Sequence, residues 1–442
     1  MMERQYKDSG IEWIGRIPKE WDVKRLKNLC VSSNSLIADG DWIESQDISE
    51  EGIRYYTTGN IGDGVFKEQG NGFITESTFE KLKCTPVYPG DLVFSRLNVP
   101  IGRSCIIPNI YPICVVAVDN VIVRPDSSYD KQYLMYVSMC PGYQETNMLI
   151  ARGTTMQRMS RTQLENIYLP IPPLPEQQRI ASYLDKKCGE IDELIALQEK
   201  MIAQLTEYKQ AVITEAVTKG LDPNAKLVPS GIEWIGDVPE GWRTMKTLYC
   251  LSMPITDGPH ETPELYDDGV PFISADAVSD GFINFDNKRG YISEEYYEEC
   301  CKKYIPQQYD IYMIKSGAST GRTAIVETDK KFTIWSPLAV FRSNRNVILP
   351  YYLLYTLRSD YYQKQVQNNW SYGTQQNIGM RTLEKLNILV PSLPEQHSIA
   401  SYLDTKCSEI DTLIALKRQK IESLNAYKKS VIYETVTGKI SI

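Results

Sequence analysis

Two polar segments of the chain carry side chains suited to hydrogen bonding in fixed patterns. One is Arg152-Gly-Thr-Thr-Met-Gln-Arg158, with Arg161 behind it; the other is Tyr372-Gly-Thr-Gln-Gln-Asn377, with Arg381 behind it. Arginine bonds guanine or phosphate, and glutamine or asparagine bonds adenine through two atoms at once. Both segments share a Gly-Thr step and then diverge, as two readers of different base sequences would. The candidate contacts are therefore Arg152, Thr154, Thr155, Gln157, Arg158 and Arg161 in one segment, and Tyr372, Thr374, Gln375, Gln376, Asn377 and Arg381 in the other. Two more stretches at matching places join them: Arg96, Asn98 and Arg103, and Lys315, Ser319, Thr320 and Arg322. Arginines inside strands have carboxylates as alternative partners. His260 and Thr262, in the loop-like Asp257–Pro263, complete the set.

Signatures of catalysis are missing. No Gly-x-Gly-x-x-Gly follows a strand, and no Asn/Asp-Pro-Pro-Tyr stretch of an amino-methyltransferase is present. Gly317-Ala-Ser-Thr-Gly-Arg-Thr323 has one residue too few between its glycines for a phosphate-cradling loop, and Arg322 stands where lysine is required. It reads as a turn between strands. With two histidines, His260 and His397, and ten cysteines without a CxxC pair, neither a histidine triad nor a metal site is expected. No cofactor is expected on this chain.

What positions the polar segments is a duplication. The stretch Leu174–Lys219 returns at 393–438 with 28 of 46 positions identical, including Leu-Pro-Glu-Gln, Ile-Ala-Ser-Tyr-Leu-Asp, Glu-Ile-Asp and Tyr-Lys. Ser9-Gly-Ile-Glu-Trp-Ile-Gly15 likewise returns at Ser230–Gly236. Nearly equal spacing between such words, 221 and 219 residues, means two copies of one unit, head to tail. The duplicated stretch predicts a long helix: proline is confined to its first turn, and Leu184, Ile191, Leu205 and Val212 recur at heptad intervals. A second row is Leu194, Met201 and Tyr208, with Ile195 and Ile202 flanking. The second copy repeats both rows, and Gln198 and Lys417 sit at equivalent polar seam positions. The material between the helices alternates short β-branched and aromatic runs with Gly, Pro, Asn and Asp, which predicts a mostly antiparallel sheet with helices beside it.

Hydrophobic residues make up 42% and charged residues 24%, an ordinary globular balance. No apolar run reaches the roughly 20 residues of a membrane span, and the amino-terminal residues lack the apolar core of a secretory signal; a cytoplasmic protein is expected. The net charge of −8 argues against a free-standing nucleic-acid binder.

Taken together, the Ser-Gly-Ile-Glu-Trp-Ile-Gly opening, the following Pro-x-x-Trp region, Leu-Pro-Glu-Gln and Ile-Ala-Ser-Tyr-Leu-Asp, duplicated around two divergent middles, resemble the specificity subunit of prokaryotic type I restriction–modification systems. The resemblance covers essentially the whole chain. It implies an α/β (α+β) fold with two similar target-recognition domains separated by two long antiparallel coiled-coil helices, in a pseudo-two-fold repeat. It implies 1–172 as the first recognition domain, 173–221 as the first helix, 222–391 as the second domain and 392–442 as the second helix. It further implies double-stranded DNA as ligand, an asymmetric bipartite target and helices that set the spacer. The implied partners are two modification subunits supplying S-adenosylmethionine-dependent methylation, with restriction and motor subunits in the full complex. Partners that enclose DNA answer the charge objection, because this chain then needs only local basic and amide faces. The rival expectations are a duplicated adaptor that never touches DNA and a self-contained methyltransferase or nuclease.

Overall fold

The computed structural model describes residues 4–153, 156–232, 235–279, 281–372 and 376–442. The chain divides into two compact units, one made of residues 1–198 and 419–442, the other of 199–418. Each long helix, Leu174–Lys219 and Leu393–Val436, therefore gives one part of its length to each unit.

The first unit is built on a four-stranded antiparallel sheet in the order Leu36–Asp39, Asn120–Arg124, Leu92–Ser95, Ser104–Ile106. A smaller sheet sets Ile53–Tyr56 between Phe73–Ile74 and a parallel partner, Cys114–Val116. Strand Leu92–Ser95 is buried throughout because both of its faces are covered. Leu92 and Phe94 pack with Tyr133, Leu134 and Val137 of helix Lys131–Ser138, while Val93 packs with Tyr56, Cys105 and Val116.

The second unit repeats this plan. Its sheet runs Thr256–Asp257, Leu338–Phe341, Ile311–Ile314, Thr323–Ile325, with Gly281–Phe282 added in parallel at the edge. Ile311 and Met313 face helix Pro350–Arg358; Tyr312 and Ile314 face Phe332 and Ile334. Two helices, Pro350–Arg358 and Asp360–Asn368, lie beside the sheet, parted by Ser359 in extended conformation.

The duplicated words have a structural explanation. Gln177 is buried, accepts the Asp130 N–H at 2.8 Å and donates to the Pro172 carbonyl at 2.8 Å. Gln396 accepts the Leu349 N–H at 2.8 Å and donates to Pro391 and Val347 carbonyls. The glutamates beside them take the indole N–H of Trp21 and Trp242, at 2.9 and 3.1 Å. Asp185 receives the Tyr136 hydroxyl and Asp404 that of Tyr355. These words bolt each sheet domain to a helix, so the buried glutamines of the Leu-Pro-Glu-Gln entrances are internal fastenings rather than free docking surface.

In each unit the two helical segments run antiparallel. Lys428 donates to both oxygens of Asp192 in the first unit, and Lys209 to both oxygens of Asp411 in the second. Glu-Ile-Asp and Tyr-Lys are thus complementary. Of the first row, Leu184, Ile191 and Val212 are buried and Leu205 is half-buried. The row of Leu194 and Tyr208 is not: both are about half exposed, as are Leu413 and Tyr427. The second seam row is instead Cys188, Ile195, Ile202 and Lys209, alternating with the first at intervals of four and three. Leu194 lies one residue, about 100°, off that line, and a two-helix seam covers only one narrow stripe.

Candidate nucleic-acid interface

The sheet register brings the separately identified polar segments together, in the same way in both units. In the first, Leu97 bridges Arg158, the Asn98 N–H bonds the Gln157 carbonyl at 3.1 Å, and the Met159 N–H bonds the Arg96 carbonyl at 3.1 Å. In the second, Ser316 bridges Asn377, the Gly317 N–H bonds the Gln376 carbonyl at 2.9 Å, and the Ile378 N–H bonds the Lys315 carbonyl at 2.9 Å. A basic residue follows each of the strands Leu92–Ser95 and Ile311–Ile314, and the turn after it is clasped by the polar segment. Gly153, at φ 111°, makes this possible in the first unit, since a Cβ there would lie 2.4 Å from the Met156 carbonyl.

A carboxylate anchors each assembly. Asp39 pairs with Val121 across the sheet and Asp257 with Ala339, the same position of the repeat. Arg96 donates to Asp39 at 2.9 Å, and Arg161 at 3.3 Å. Asp257, fully buried, faces Lys315 and His260 at 3.2 Å each and bonds Lys303. Burial pushes the Asp257 carboxyl up, but Lys303 and Lys315 outweigh it and hold it below its ordinary value. The glycine after each aspartate is obligatory: a Cβ on Gly40 would lie 2.3 Å from two carbonyls, and one on Gly258 2.0 Å from that of Ile334.

Several expected contacts are corrected by this geometry. Arg96 is buried and spends its guanidinium on Asp39 and the Met159 and Val118 carbonyls. Arg103 is buried and donates to five carbonyls, those of Thr58, Ile61, Leu97, Asn98 and Pro100. Both are placed as supports of the loops, buried guanidiniums whose Nη groups are taken up by acceptors inside the protein. Thr320 donates its hydroxyl to the Gly317 carbonyl inside the turn. Arg322, the counterpart of Arg103, is exposed, with Ser319 half-buried before it. Asn98, Arg152, Arg158, Arg161, His260, Thr262, Asn377 and Arg381 are exposed, and Gln157 and Gln376 are half-buried. Tyr372 pairs with Gln376 in a short hairpin. Thr154, Thr155, Thr374 and Gln375 lie outside the described residues. In the first unit Arg96, Arg152, Arg158, Ser160 and Gln163 line one open cleft of about 740 Å³.

Sequence reasoning missed Asp39, Asp119, Asp257 and Lys303. For the anchoring pair the signal was present: Ile37-Ala-Asp-Gly40 and Ile255-Thr-Asp-Gly258 are one repeated word.

One carboxylate at the foot of the first assembly gives a pH signature. Burial pushes Asp41 up to about 6, against a weaker opposing bond from the Thr85 N–H. Between its ordinary value near 3.8 and about 6 the folded state keeps a proton that the unfolded state has lost, so stability falls as pH rises through that window. Asp41→Asn is expected to remove this loss, about 1 kcal/mol at neutral pH once solvent screening is allowed for. Thermal unfolding across that window should show the variant gaining on the native chain and then levelling off; a difference independent of pH would refute the assignment.

Among the described residues, no helix is long and apolar enough to cross a membrane, and no group of three or more His, Cys, Asp or Glu could hold a metal ion.

Comparison with known proteins agrees with the repeat. The model of the type I restriction modification DNA specificity domain matches residues 18–207 and again 258–426. A Methanocaldococcus jannaschii protein described as the specificity subunit of the type I restriction enzyme MjaX is 26% identical over 97% of this chain and 96% of its own length. The EcoBI specificity subunit of Escherichia coli is 23% identical over 72% of this chain and 67% of its own. A chain from a solved type I R-M system shares the fold with a TM-score of 0.71 at 18% identity, covering 96% of this chain and 99% of that one. With two matches that together span most of its length, the chain belongs to the type I restriction–modification DNA specificity family.

Proposed function

We propose that the chain is the non-catalytic DNA-reading subunit of a type I restriction–modification complex, with residues about 20–165 and 240–385 each reading one part of an asymmetric bipartite site. The observation that carries this reading is the matched pairing of Leu97 with Arg158 and of Ser316 with Asn377. One scaffold presents different side chains at the same two places, as two readers of different half-sites require. In this reading the long helices set the spacer and dock two methyltransferase subunits, restriction and motor subunits join for cleavage, and S-adenosylmethionine is bound by the methyltransferase partners, not by this chain. The complex works on double-stranded DNA in the prokaryotic cytoplasm. The charge objection is answered in this account by partners that enclose the DNA, this chain presenting only local basic and amide faces.

Footprinting tests it. The chain assembled with its methyltransferase partners is expected to protect two separated clusters of bases on target DNA. Absence of protection would leave the adaptor reading in its place.

A further inference from the structure

The two units differ most tellingly at one pair of equivalent positions. Arg158 and Asn377 occupy the same place in the repeat, as their bridges to Leu97 and Ser316 establish. Arg158 is half exposed, with its side chain 2.6 Å from Asp119. Asp119 also has a counterpart, because its carbonyl accepts the Arg96 N–H at 2.8 Å just as that of Pro337 accepts the Lys315 N–H at 2.8 Å. Where the reading position holds a guanidinium, the neighbouring position holds a carboxylate. Where it holds a neutral amide, the carboxylate is replaced by proline.

Resting on the interface reading above, we infer that Arg158 and Asn377 are the principal base-reading side chains of the two units, Arg158 for guanine and Asn377 for adenine, with Asp119 as the positioning residue of Arg158. The chemistry distinguishes base from phosphate. An arginine paired with a carboxylate has little net charge to offer a phosphate, yet its remaining N–H groups still suit the neutral O6 and N7 acceptors of guanine. Among the described residues, Nη1 and Nε of Arg158 have no hydrogen-bond partner, so those donors are available while Asp119 limits the rotamers. Asn377 is exposed, and its backbone is fixed from both sides: its carbonyl accepts the Ser371 hydroxyl at 3.1 Å, and it bridges Ser316. An amide needs no charge partner to bond N6 and N7 of adenine. Arg152 lies across the turn from Arg158, with both backbone bonds between them at 2.9 Å, and is exposed without a carboxylate in the described contacts. It retains its charge and is assigned to phosphate.

The test uses the full chain in complex with its methyltransferase partners, reading the methylated motif by sequencing and DNA affinity as a function of salt. Arg158→Ala is expected to relax a single guanine position in one half-site, with discrimination there falling roughly 5- to 150-fold. Asp119→Asn should relax the same position less and steepen the salt dependence, because Arg158 then carries uncompensated charge. Arg152→Ala should weaken all sequences alike and reduce the salt slope by about one. Asn377→Ala should relax one adenine position in the other half-site. The assignment is overturned if Arg158→Ala weakens all sequences alike, if the relaxed position is not guanine, or if Asp119→Asn leaves both motif and salt slope unchanged; the interface reading survives those results. If neither Arg152→Ala nor Arg158→Ala alters motif or affinity, the interface reading falls with it.

Discussion

Exchanging residues 240–385 for the matching stretch of another family member is expected to replace one half of the recognised site completely and leave the other half unchanged. His260, Lys315, Gln376 and Asn377 lie inside this block, and so do their supports Asp257 and Lys303. The block shares an apolar core with both long helices, its strand Arg243–Lys246 pairs with Asn387–Val390, and a short set of polar fastenings ties it to the second helix. Trp242 bonds Glu395, Gln396 is tied to Val347 and Leu349, and Tyr355 bonds Asp404. The first unit uses the same residue types for the same purpose, through Trp21 with Glu176, Gln177 with Asp130, and Tyr136 with Asp185. A donor block that keeps tryptophan and tyrosine at these places therefore meets the same acceptors, and its own polar segments replace the native ones at the rim. The methylated motif in a host genome, sequenced before and after the exchange, is the measurement. A change in both halves would sink the modular account, because it would mean that the reading contacts of one unit depend on the other.

The sequence disclosed the fastenings before it disclosed the site. Glu176, Gln177, Asp185 and Asp192 were visible as repeated words, since identical mechanical tasks keep identical residues in both copies. The seam was visible only in part. Leu184, Ile191 and Val212 are buried, but spacing alone could not choose between the Leu194 row and the Ile195 row, which both recur every seven residues; burial chose the second. The polar segments stood out as paired stretches of the repeat, yet their arginines could not be sorted. Whether Arg96 reads DNA or closes a turn depends on the Met159 and Val118 carbonyls, which come from distant parts of the chain and meet it only after the sheet forms. Asp119 has no repeated counterpart because its place in the second unit is Pro337, so comparison of the copies could not reveal it.

Asp310→Ala is expected to destabilise the second unit by roughly 3–5 kcal/mol, the cost of removing one partner of a buried ion pair. Asp310 is 1% exposed, and both its oxygens are held by Arg342 at 2.7 Å, with the Gln307 N–H and the Tyr304 hydroxyl as further donors. Burial, with Tyr312 and Asp310 beside it, pushes the Tyr304 phenol well up, so it stays protonated and continues to donate. The alanine leaves the Gln307 N–H and the partly buried Arg342 guanidinium without their acceptor. At roughly 2–4 °C per kcal/mol for a unit of this size, the melting transition should fall by about 10 °C. Arg342→Ala and the double variant complete the comparison: if the pair acts as one element, the double variant loses far less than the sum of the two single losses. A loss below about 1 kcal/mol, or strict additivity, would refute the assignment. The first unit supplies an internal control, since Asp91 is held by Arg124 at the same point of the repeat. Each of these aspartates precedes the strand that leads to the anchored basic residue, Lys315 in one unit and Arg96 in the other. The ion pair at the near end is expected to steady the strand that leads to Asp257 or Asp39, and a variant that keeps the fold but loosens this strand should blur one half-site before the unit melts.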